Sequence, residues 1–169
     1  SVTKLLTAGA ALMAVEEGAI ELDEPAGPEG STVRHLLAHA SGVAFDSIEV
    51  KAAPGTKRIY SSAGYDILAD RIAAATGIDF PTYLADGLCG ALGMTATSLS
   101  GSAGHGARSS VDDLGALASE LLAPAALSPQ TWAEVWAAAR KIKESGAATC
   151  GSRACATGPP WTRGGWRDR

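Results

Sequence analysis

The sequence predicts a mainly α-helical fold, and two features of its 169 residues lead to that prediction. Apolar side chains recur at the helical period in several segments, which are separated by glycine, proline and residues that cap helices. Segments with the apolar–polar alternation of strands are almost absent. We therefore expect a helical body with little β-structure.

The composition excludes several classes of protein. With 46% hydrophobic residues the chain is too apolar for an acidic disordered protein, and its net charge of −4 argues against nucleic-acid binding. No run of about 18 apolar residues is present that would span a membrane. The apolar stretch from Leu5 to Val15 leads into Glu16 without a small-residue cleavage site, which predicts a helix of the folded body rather than a signal peptide.

The cysteines predict neither a disulfide framework nor a metal centre. Cys89, Cys150 and Cys155 are too few and too scattered for a disulfide framework or for a zinc site with four ligands. We expect Cys89 to be buried and the other two thiols to be exposed. The sequence determines neither the compartment nor the oligomeric state.

Charge and apolar content change near residue 140. Residues 1–139 hold 7 Lys and Arg against 16 Asp and Glu, whereas residues 140–169 hold 7 against 2. From residue 144 onward there is no Val, Ile, Leu, Met, Phe or Tyr, and such a segment cannot offset the entropy of its own ordering. We therefore expect a partial domain over residues 1–143 and a disordered or foreign basic tail over residues 144–169.

The first helix is predicted from Ser1 to Glu17, with Gly18 at the left-handed position that ends it. A loop rich in glycine and proline follows from Leu22 to Gly30. Thr32 is then expected to cap a short helix from Val33 to His39.

The middle of the chain begins with a turn at Pro54-Gly55 and a brief extended piece from Arg58 to Tyr60. A long helix is predicted from Ala63 to Ala75 and is ended by Gly77. Its inward-facing residues are expected to be Ile67, Leu68 and Ile72.

Three further helices are predicted, and each follows a residue that can cap its first turn. The pairs of cap and helix are Asp79 before Phe80–Cys89, Ser110 before Leu114–Leu122, and Ser128 before a last helix that carries Trp132 and Trp136.

Ser1 and Lys4 are the first residues whose spacing indicates chemistry. Three residues apart at the start of a helix, their side chains share one face, about 5–6 Å apart at Cβ. A serine hydroxyl becomes a nucleophile when a neighbouring base takes its proton, and a lysine can act as that base when its surroundings lower its pKa. The open N–H groups of a helix N-terminus suit a developing oxyanion. Taken alone, the pattern equally fits a capped, solvent-facing helix.

Tyr60 stands at a junction between loop and helix, in the sequence Tyr60-Ser61-Ser62. A tyrosine can carry a proton when cationic neighbours lower its pKa. The alternative is a half-buried packing residue.

Further motifs follow these residues in a fixed order. They are Thr32-Val-Arg-His-Leu-Leu-Ala-His-Ala-Ser-Gly42, Pro54-Gly55, Tyr60-Ser-Ser-Ala-Gly-Tyr65, Ala91-Leu-Gly-Met94-Thr95 and Ser109-Ser-Val-Asp-Asp-Leu114. Together with Ser1-Val-Thr-Lys4, the succession resembles the serine β-lactamase and penicillin-binding-protein superfamily. It is most similar to the branch of class C β-lactamases, D-alanyl-D-alanine carboxypeptidases and related esterases, from Ser1 to about Ala139.

The resemblance implies that Ser1 is the acylated nucleophile, Lys4 its proton acceptor or electrostatic partner, and Tyr60 the shared general base and acid. It implies an acyl-enzyme mechanism on the carbonyl of a small-molecule ester, β-lactam or peptidyl-D-alanine, without a cofactor. Ser62 occupies a substrate-binding position at which the family usually has asparagine. That exchange favours an esterase over a β-lactamase.

The family's third motif, a Lys/His-Thr/Ser/x-Gly triplet on an edge strand, has no credible copy in the sequence. Gly104-His105-Gly106 lies too early in the chain, and Ala156-Thr157-Gly158 lacks the cation. Strands that precede the nucleophile in the family are not found either. We therefore expect the helical lobe of the α/β serine β-lactamase/transpeptidase-like fold, truncated at both ends, with most of the antiparallel sheet missing.

Two functions remain open at this point. One is a serine hydrolase, and the other is a truncated non-catalytic fragment or a binding module that keeps only the helical lobe. A metal site at His35 and His39, spaced i, i+4, is disfavoured because no third ligand is near. The resemblance implies that both histidines belong to a structural helix–loop segment. A phosphate cradle at Gly101–Gly106 is disfavoured because no strand is predicted before it.

Overall fold

The computed structural model of the protein describes residues 1–131 and residue 133. Its α-helices are α1 (Thr3–Glu16), α2 (Val33–Leu37), α3 (Ala63–Thr76), α4 (Phe80–Leu84), α5 (Gly90–Leu92) and α6 (Val111–Leu122), and a π-helical turn, Ala85–Cys89, joins α4 to α5. Strands β1 (Ser98–Leu99) and β2 (Ala107–Arg108) pair antiparallel, with Ser98 opposite Arg108. The described part of the chain is mainly α-helical, as predicted.

Several predicted features lie outside the described residues. They are Trp132, Trp136, Cys150, Cys155 and the basic tail over 144–169, so the domain boundary near residue 143 stays a prediction. Helical backbone does begin at Pro129, and the Thr131 N–H donates to the hydroxyl oxygen of Ser128 at 3.2 Å. Among the described residues, none of the helices combines the length and the apolar character that crossing a bilayer requires.

Helix α1 runs through the interior and is buried on almost every side. Its small residues allow close packing: a Cβ on Gly9 would lie 2.8 Å from a methyl group of Leu88 in the π-helical turn. The buried residues do not follow a single apolar stripe, because Ala10, Ala11 and Ala14 are all buried while Leu5 is 40% exposed. A helix with apolar residues all round belongs in a core rather than at a surface.

The hydrophobic core lies around α1 and is completed by α2, α3, α4 and the π-helical turn. Each fully buried leucine or isoleucine contributes about 1.5–3 kcal/mol relative to exposure. The largest fully buried apolar side chains are Leu6, Leu12, Ile20, Leu36, Leu68, Ile72, Leu84, Leu88 and Leu117. Leu68 and Ile72 face inward as predicted, Ile67 packs against the core while only partly buried, and Cys89 is buried as expected.

Most predicted helix ends are confirmed by their caps. Gly18 and Gly77 adopt positive φ angles of 73° and 72°. Thr32, Asp79 and Ser110 each accept a hydrogen bond from the N–H three residues on. These polar side chains satisfy donors that the first turn leaves open, which explains why they mark helix starts in the sequence.

Several element boundaries differ from the predictions, including the starts of α1 at Thr3 rather than Ser1 and of α6 at Val111 rather than Leu114. Helix α2 ends at Leu37 rather than His39, because His39 has a positive φ of 59°, which a right-handed helix does not allow. Residues 57–60 form no strand. The segment that begins at Phe80 does not stop at Cys89 but continues through α5, and the left-handed Gly93 ends it.

Asp113 joins the first turn of α6 to a distant segment of the chain. Its N–H donates to Ser110 as predicted, but its carboxylate does not return to the cap. It accepts hydrogen bonds from the Ala96 N–H at 3.0 Å and the Thr97 hydroxyl at 2.6 Å. The shorter acidic side chain therefore ties α6 to the segment that leads into β1.

Candidate active site

Ser1 and Lys4 share the turn that opens α1. The Lys4 N–H donates to the Ser1 carbonyl oxygen at 3.2 Å, so Ser1 belongs to the first turn although the helix is assigned from Thr3. Ser1 is exposed, whereas Lys4 is buried. Val2 provides no side-chain cap, and the backbone hydrogen bonds of this turn begin at the Lys4 N–H, so the N–H groups of Val2 and Thr3 have no acceptor within the helix. One helical turn thus holds a serine at the surface above an ammonium group in the interior.

The Lys4 ammonium is held by neutral groups. Its Nζ donates to the Ser62 hydroxyl oxygen at 2.9 Å and to the Gly104 carbonyl oxygen at 2.8 Å. It also lies 4.5 Å from the ring centroid of Tyr60 and 5.7 Å from that of Tyr65. None of the salt bridges formed within residues 1–131 includes Lys4. Its positive charge is therefore solvated by dipoles and aromatic faces, without being neutralised by a carboxylate.

Tyr60 lies next to both residues. Hydrogen bonding with the Ser1 side chain lowers the pKa of the Tyr60 phenol, and the hydrogen bond and positive charge of Lys4 add to this effect against an opposing contribution from burial. The ring is 43% exposed and stacks on Phe45 at a centroid distance of 6.1 Å. A lowered pKa makes the phenolate form of Tyr60 more accessible, and a phenolate that contacts a serine hydroxyl is suited to accept the serine proton.

Ser62 is buried at the start of α3, with its N–H donating to the Phe45 carbonyl oxygen at 2.7 Å. Its hydroxyl oxygen accepts the hydrogen bond from Lys4 already described. The structure therefore brings Ser1, Lys4, Tyr60 and Ser62 together, although residues 4 and 62 are far apart in the chain. Contact between Ser62 and a substrate stays a prediction.

The loop Gly101–Gly106 is part of the site, which the sequence did not predict. It joins β1 to β2, so the expectation that no strand precedes it is wrong, since β1 is a strand of only two residues without a recognisable pattern. The carbonyl of Gly104 accepts from Lys4, and the carbonyl of Ala103 accepts from the Thr7 hydroxyl at 2.7 Å. The glycines at 104 and 106 were the available signal for a closely packed loop.

Gly104 has no room for a side chain. A Cβ at this position would lie 2.7 Å from Ser62 Cβ and 2.8 Å from Ser62 Cα. We expect Gly104→Ala to lower the free energy of unfolding by about 1–3 kcal/mol, because the loop must move away from Ser62 and Lys4. The measurement is urea denaturation. The control is Gly115→Ala in α6, where a Cβ meets nothing within 4 Å and alanine stabilises the helix by about 0.5–1 kcal/mol. Equal stability of the two variants would contradict close packing at Gly104.

His35 and His39 do not share a helix face, because α2 ends between them. The Thr32 hydroxyl lies 3.3 Å from Nδ1 of His35, whereas Nδ1 of His39 accepts from the Ser61 N–H at 3.1 Å. Within residues 1–131 and 133 no group of three or more His, Cys, Asp or Glu side chains is arranged to hold a metal ion. Both histidines occupy the helix–loop segment, and His39 also borders the site.

Burial of the His39 ring, with the positive charges of Arg58 and Lys4, lowers its pKa from 6.5 to about 4. As the pH falls the unfolded chain therefore binds its proton first, and the folded state loses stability between pH 6.5 and about pH 4. We expect this difference in pKa to contribute about 2–3 kcal/mol to the free energy of unfolding. The contribution is complete above pH 6.5 and is lost below about pH 4.

The measurement is urea denaturation across that pH range for the wild type and for His39→Asn, whose side chain does not titrate. The carboxylates are common to both proteins, so the difference between the two curves isolates His39. Parallel curves would contradict a neutral, buried His39.

Comparison with known proteins identifies the family of the chain. The beta-lactamase family model matches residues 1–167. The chain belongs to the β-lactamase family. The expected family and the mainly helical part of its fold are thereby confirmed.

Solved structures of β-lactamase-like proteins share the fold. The chain is 51% identical to a β-lactamase from Mycobacterium bovis, with a TM-score of 0.77 over 79% of this chain and 50% of that one. It is 22% identical to a β-lactamase/D-alanine carboxypeptidase from Yersinia pestis, with a TM-score of 0.66 over 79% and 56% of the two chains. A penicillin-binding protein from Bacillus halodurans is 20% identical, with a TM-score of 0.70 over 77% and 60%.

The two structures with lower identity show the likeness of the fold alone. This β-lactamase family chain spans about half the length of the solved structures that it matches. Among curated proteins no match is found.

Proposed function

We propose that the chain is a serine hydrolase in which Ser1 attacks an ester or amide carbonyl and forms an acyl-enzyme. The observation that supports this most strongly is the position of Lys4. Its buried ammonium is held by two neutral oxygens and lies over the Tyr60 ring, while hydrogen bonding with Ser1 lowers the pKa of the Tyr60 phenol. Within the described residues, this arrangement has a nucleophile, a proton acceptor and a positive charge in contact.

In the proposed first step, Tyr60 accepts the hydroxyl proton of Ser1 as the serine oxygen bonds to the carbonyl carbon. Lys4 stabilises the negative charge that Tyr60 carries before the proton arrives. The N–H groups of Val2 and Thr3 precede the first hydrogen bonds of α1, and we propose them as the donors to the oxyanion. The carbonyl carbon then releases the alcohol or amine, which takes its proton from Tyr60.

Hydrolysis repeats these steps with water in place of Ser1. Tyr60 takes a proton from water as the water oxygen bonds to the acyl carbon, and the bond from that carbon to the Ser1 oxygen breaks. Ser1 recovers its proton from Tyr60, and the acid is released. No cofactor enters either step.

We propose a small-molecule ester as the favoured substrate, with a β-lactam or a peptidyl-D-alanine as the alternatives. Support comes from Ser62, whose short hydroxyl stands where the family usually has asparagine and already accepts a hydrogen bond from Lys4. A shorter group positions an amide less firmly than an asparagine side chain does. The Mycobacterium bovis relative is titled a β-lactamase, which keeps that alternative open.

The second proposal is a non-catalytic domain or binding module with the helical lobe. It is favoured by Ser62, because this residue replaces the asparagine that the family usually has at a substrate-binding position, and its hydroxyl is already engaged by Lys4.

The experiment is incubation of the full chain with p-nitrophenyl acetate and, separately, with a fluorescent penicillin. We expect a covalent adduct by intact-mass spectrometry and release of p-nitrophenol beyond one equivalent, with the ester processed faster than the penicillin. The control is Ser1→Ala, which should form no adduct. The absence of an adduct in the wild type with either reagent would overturn the hydrolase and favour the binding module.

A further inference from the structure

His39 holds the backbone on both sides of Tyr60. Its carbonyl oxygen accepts from the Ile59 N–H at 2.8 Å, and its Nδ1 accepts from the Ser61 N–H at 3.1 Å. Its ring packs against the Tyr60 ring at a centroid distance of 4.6 Å. A single residue thus contacts the residue before Tyr60, the residue after it and the phenol ring itself.

This arrangement depends on an uncommon backbone conformation. His39 has a φ of 59°, and it has the only positive φ of any non-glycine residue in the described part of the chain. Asparagine, aspartate and histidine adopt this region more readily than other L-residues, yet it still costs free energy. The conformation ends α2 and directs the His39 ring to the loop that carries Tyr60. The strained backbone conformation therefore lies at the residue that contacts the candidate site.

The ring accepts at Nδ1 only while it is neutral, with its proton on Nε2. Its surroundings favour that form: the side chain is buried, the positive charges of Arg58 and Lys4 disfavour a positive charge on the ring, and the rings of Tyr60 and Tyr65 pack against it at centroid distances of 4.6 and 5.0 Å. No carboxylate of the described residues is among the groups that affect its charge. A buried histidine without an acidic partner is suited to accept a hydrogen bond rather than to carry a charge.

We propose that His39 is a positioning residue for Tyr60, and that its Nδ1 fixes the Ser61 N–H so that the phenol stays against Ser1 and Lys4. The contact to the Ile59 N–H comes from the backbone and remains in any variant, whereas the contact to Ser61 depends on the imidazole. The effect on catalysis rests on the proposed function, but the effect on Tyr60 does not.

Ultraviolet titration of tyrosinate measures that effect without any substrate. Burial raises the pKa of Tyr65 to about 12 and also raises the pKa of Tyr83, so Tyr60 is the first tyrosine to ionise. Loss of this first transition in Tyr60→Phe identifies it. Two variants separate the roles of His39: His39→Gly allows the positive φ but removes Nδ1, and His39→Asn allows the φ and offers an amide oxygen at the position of Nδ1.

In His39→Gly we expect the apparent pKa of Tyr60 to rise towards the ordinary value of 10.0, and acylation by p-nitrophenyl acetate to slow by about 10²-fold. In His39→Asn we expect the pKa of Tyr60 to stay lowered and most of the acylation rate to return. A structural role alone would not make the acceptor atom decisive. If His39→Gly fails to fold by near-ultraviolet circular dichroism, His39→Gln replaces it, because its amide oxygen reaches the Nε2 position instead.

An unchanged Tyr60 pKa in His39→Gly, or an Asn variant that matches the Gly variant, would overturn the proposal. A wild type that is never acylated, but whose Tyr60 pKa still responds to His39→Gly, would contradict the hydrolase while supporting His39 as the positioning residue.

Discussion

Replacement of Lys4 with methionine will slow the acylation of Ser1 by about 10²–10⁴-fold, the range that a positioned acid–base group contributes. Methionine is unbranched and one atom shorter than lysine, and it lacks the charge and the donors. The phenolate form of Tyr60 then loses the positive charge of Lys4, and the contacts to Ser62 and Gly104 are lost. The measurement is the rate of p-nitrophenol release in the first turnover, with thermal unfolding recorded for each protein.

The matched control is Lys51→Met. The Lys51 side chain is 50% exposed and pairs with Glu49 at the surface, where ion pairs contribute little. We expect its acylation rate to equal that of the wild type. A Lys4→Met protein that is folded and acylates as fast as Lys51→Met would remove Lys4 from the mechanism.

Gly42→Ala will destabilise the protein by about 4 kcal/mol or more, the range reserved for severe local clashes. Gly42 has a φ of +83°, and a Cβ on it would lie 1.9 Å from the Ala52 carbonyl oxygen. That oxygen belongs to the backbone and cannot rotate away. The Gly42 carbonyl also accepts from the Lys51 N–H at 2.8 Å. Moving Gly42 away from Ala52 would therefore also break this hydrogen bond.

The matched control is Gly30→Ala, because Gly30 has a similar φ of +78° and a Cβ on it meets nothing within 4 Å. Only the cost of the left-handed conformation applies there, about 1–2 kcal/mol. Urea denaturation of both variants separates the clash from the conformational cost. Equal losses would contradict the close approach of Gly42 to Ala52.

The helices were predictable because their signals are local. Thr32, Asp79 and Ser110 each satisfy a backbone donor three residues away. Gly18 and Gly77 end helices in a left-handed conformation, which a residue with a Cβ adopts less readily. The proximity of Ser1 and Lys4 follows from helix geometry for the same reason. Such patterns need no knowledge of the rest of the chain.

The remainder of the site depends on contacts between distant residues. Lys4 meets Ser62 and Gly104 across separations of 58 and 100 residues, and no local pattern specifies those pairs. The end of α2 was predicted at His39, which is wrong because the positive φ of His39 ends the helix before it. The sequence carries no signal of that backbone angle. The burial of α1 on nearly all sides likewise comes from α3, α4 and the π-helical turn, which pack on the alanine-rich faces.

The central claim is that Ser1 is the nucleophile among the three serines close to Lys4 and Tyr60, which are Ser1, Ser61 and Ser62. Peptide mapping by mass spectrometry after brief reaction with p-nitrophenyl acetate distinguishes them, with Ser1→Ala as the parallel sample. We predict an acyl group on the peptide that begins at Ser1 and no acyl group in Ser1→Ala. An acyl group on Ser61 or Ser62, or one that persists in Ser1→Ala, would contradict the assignment.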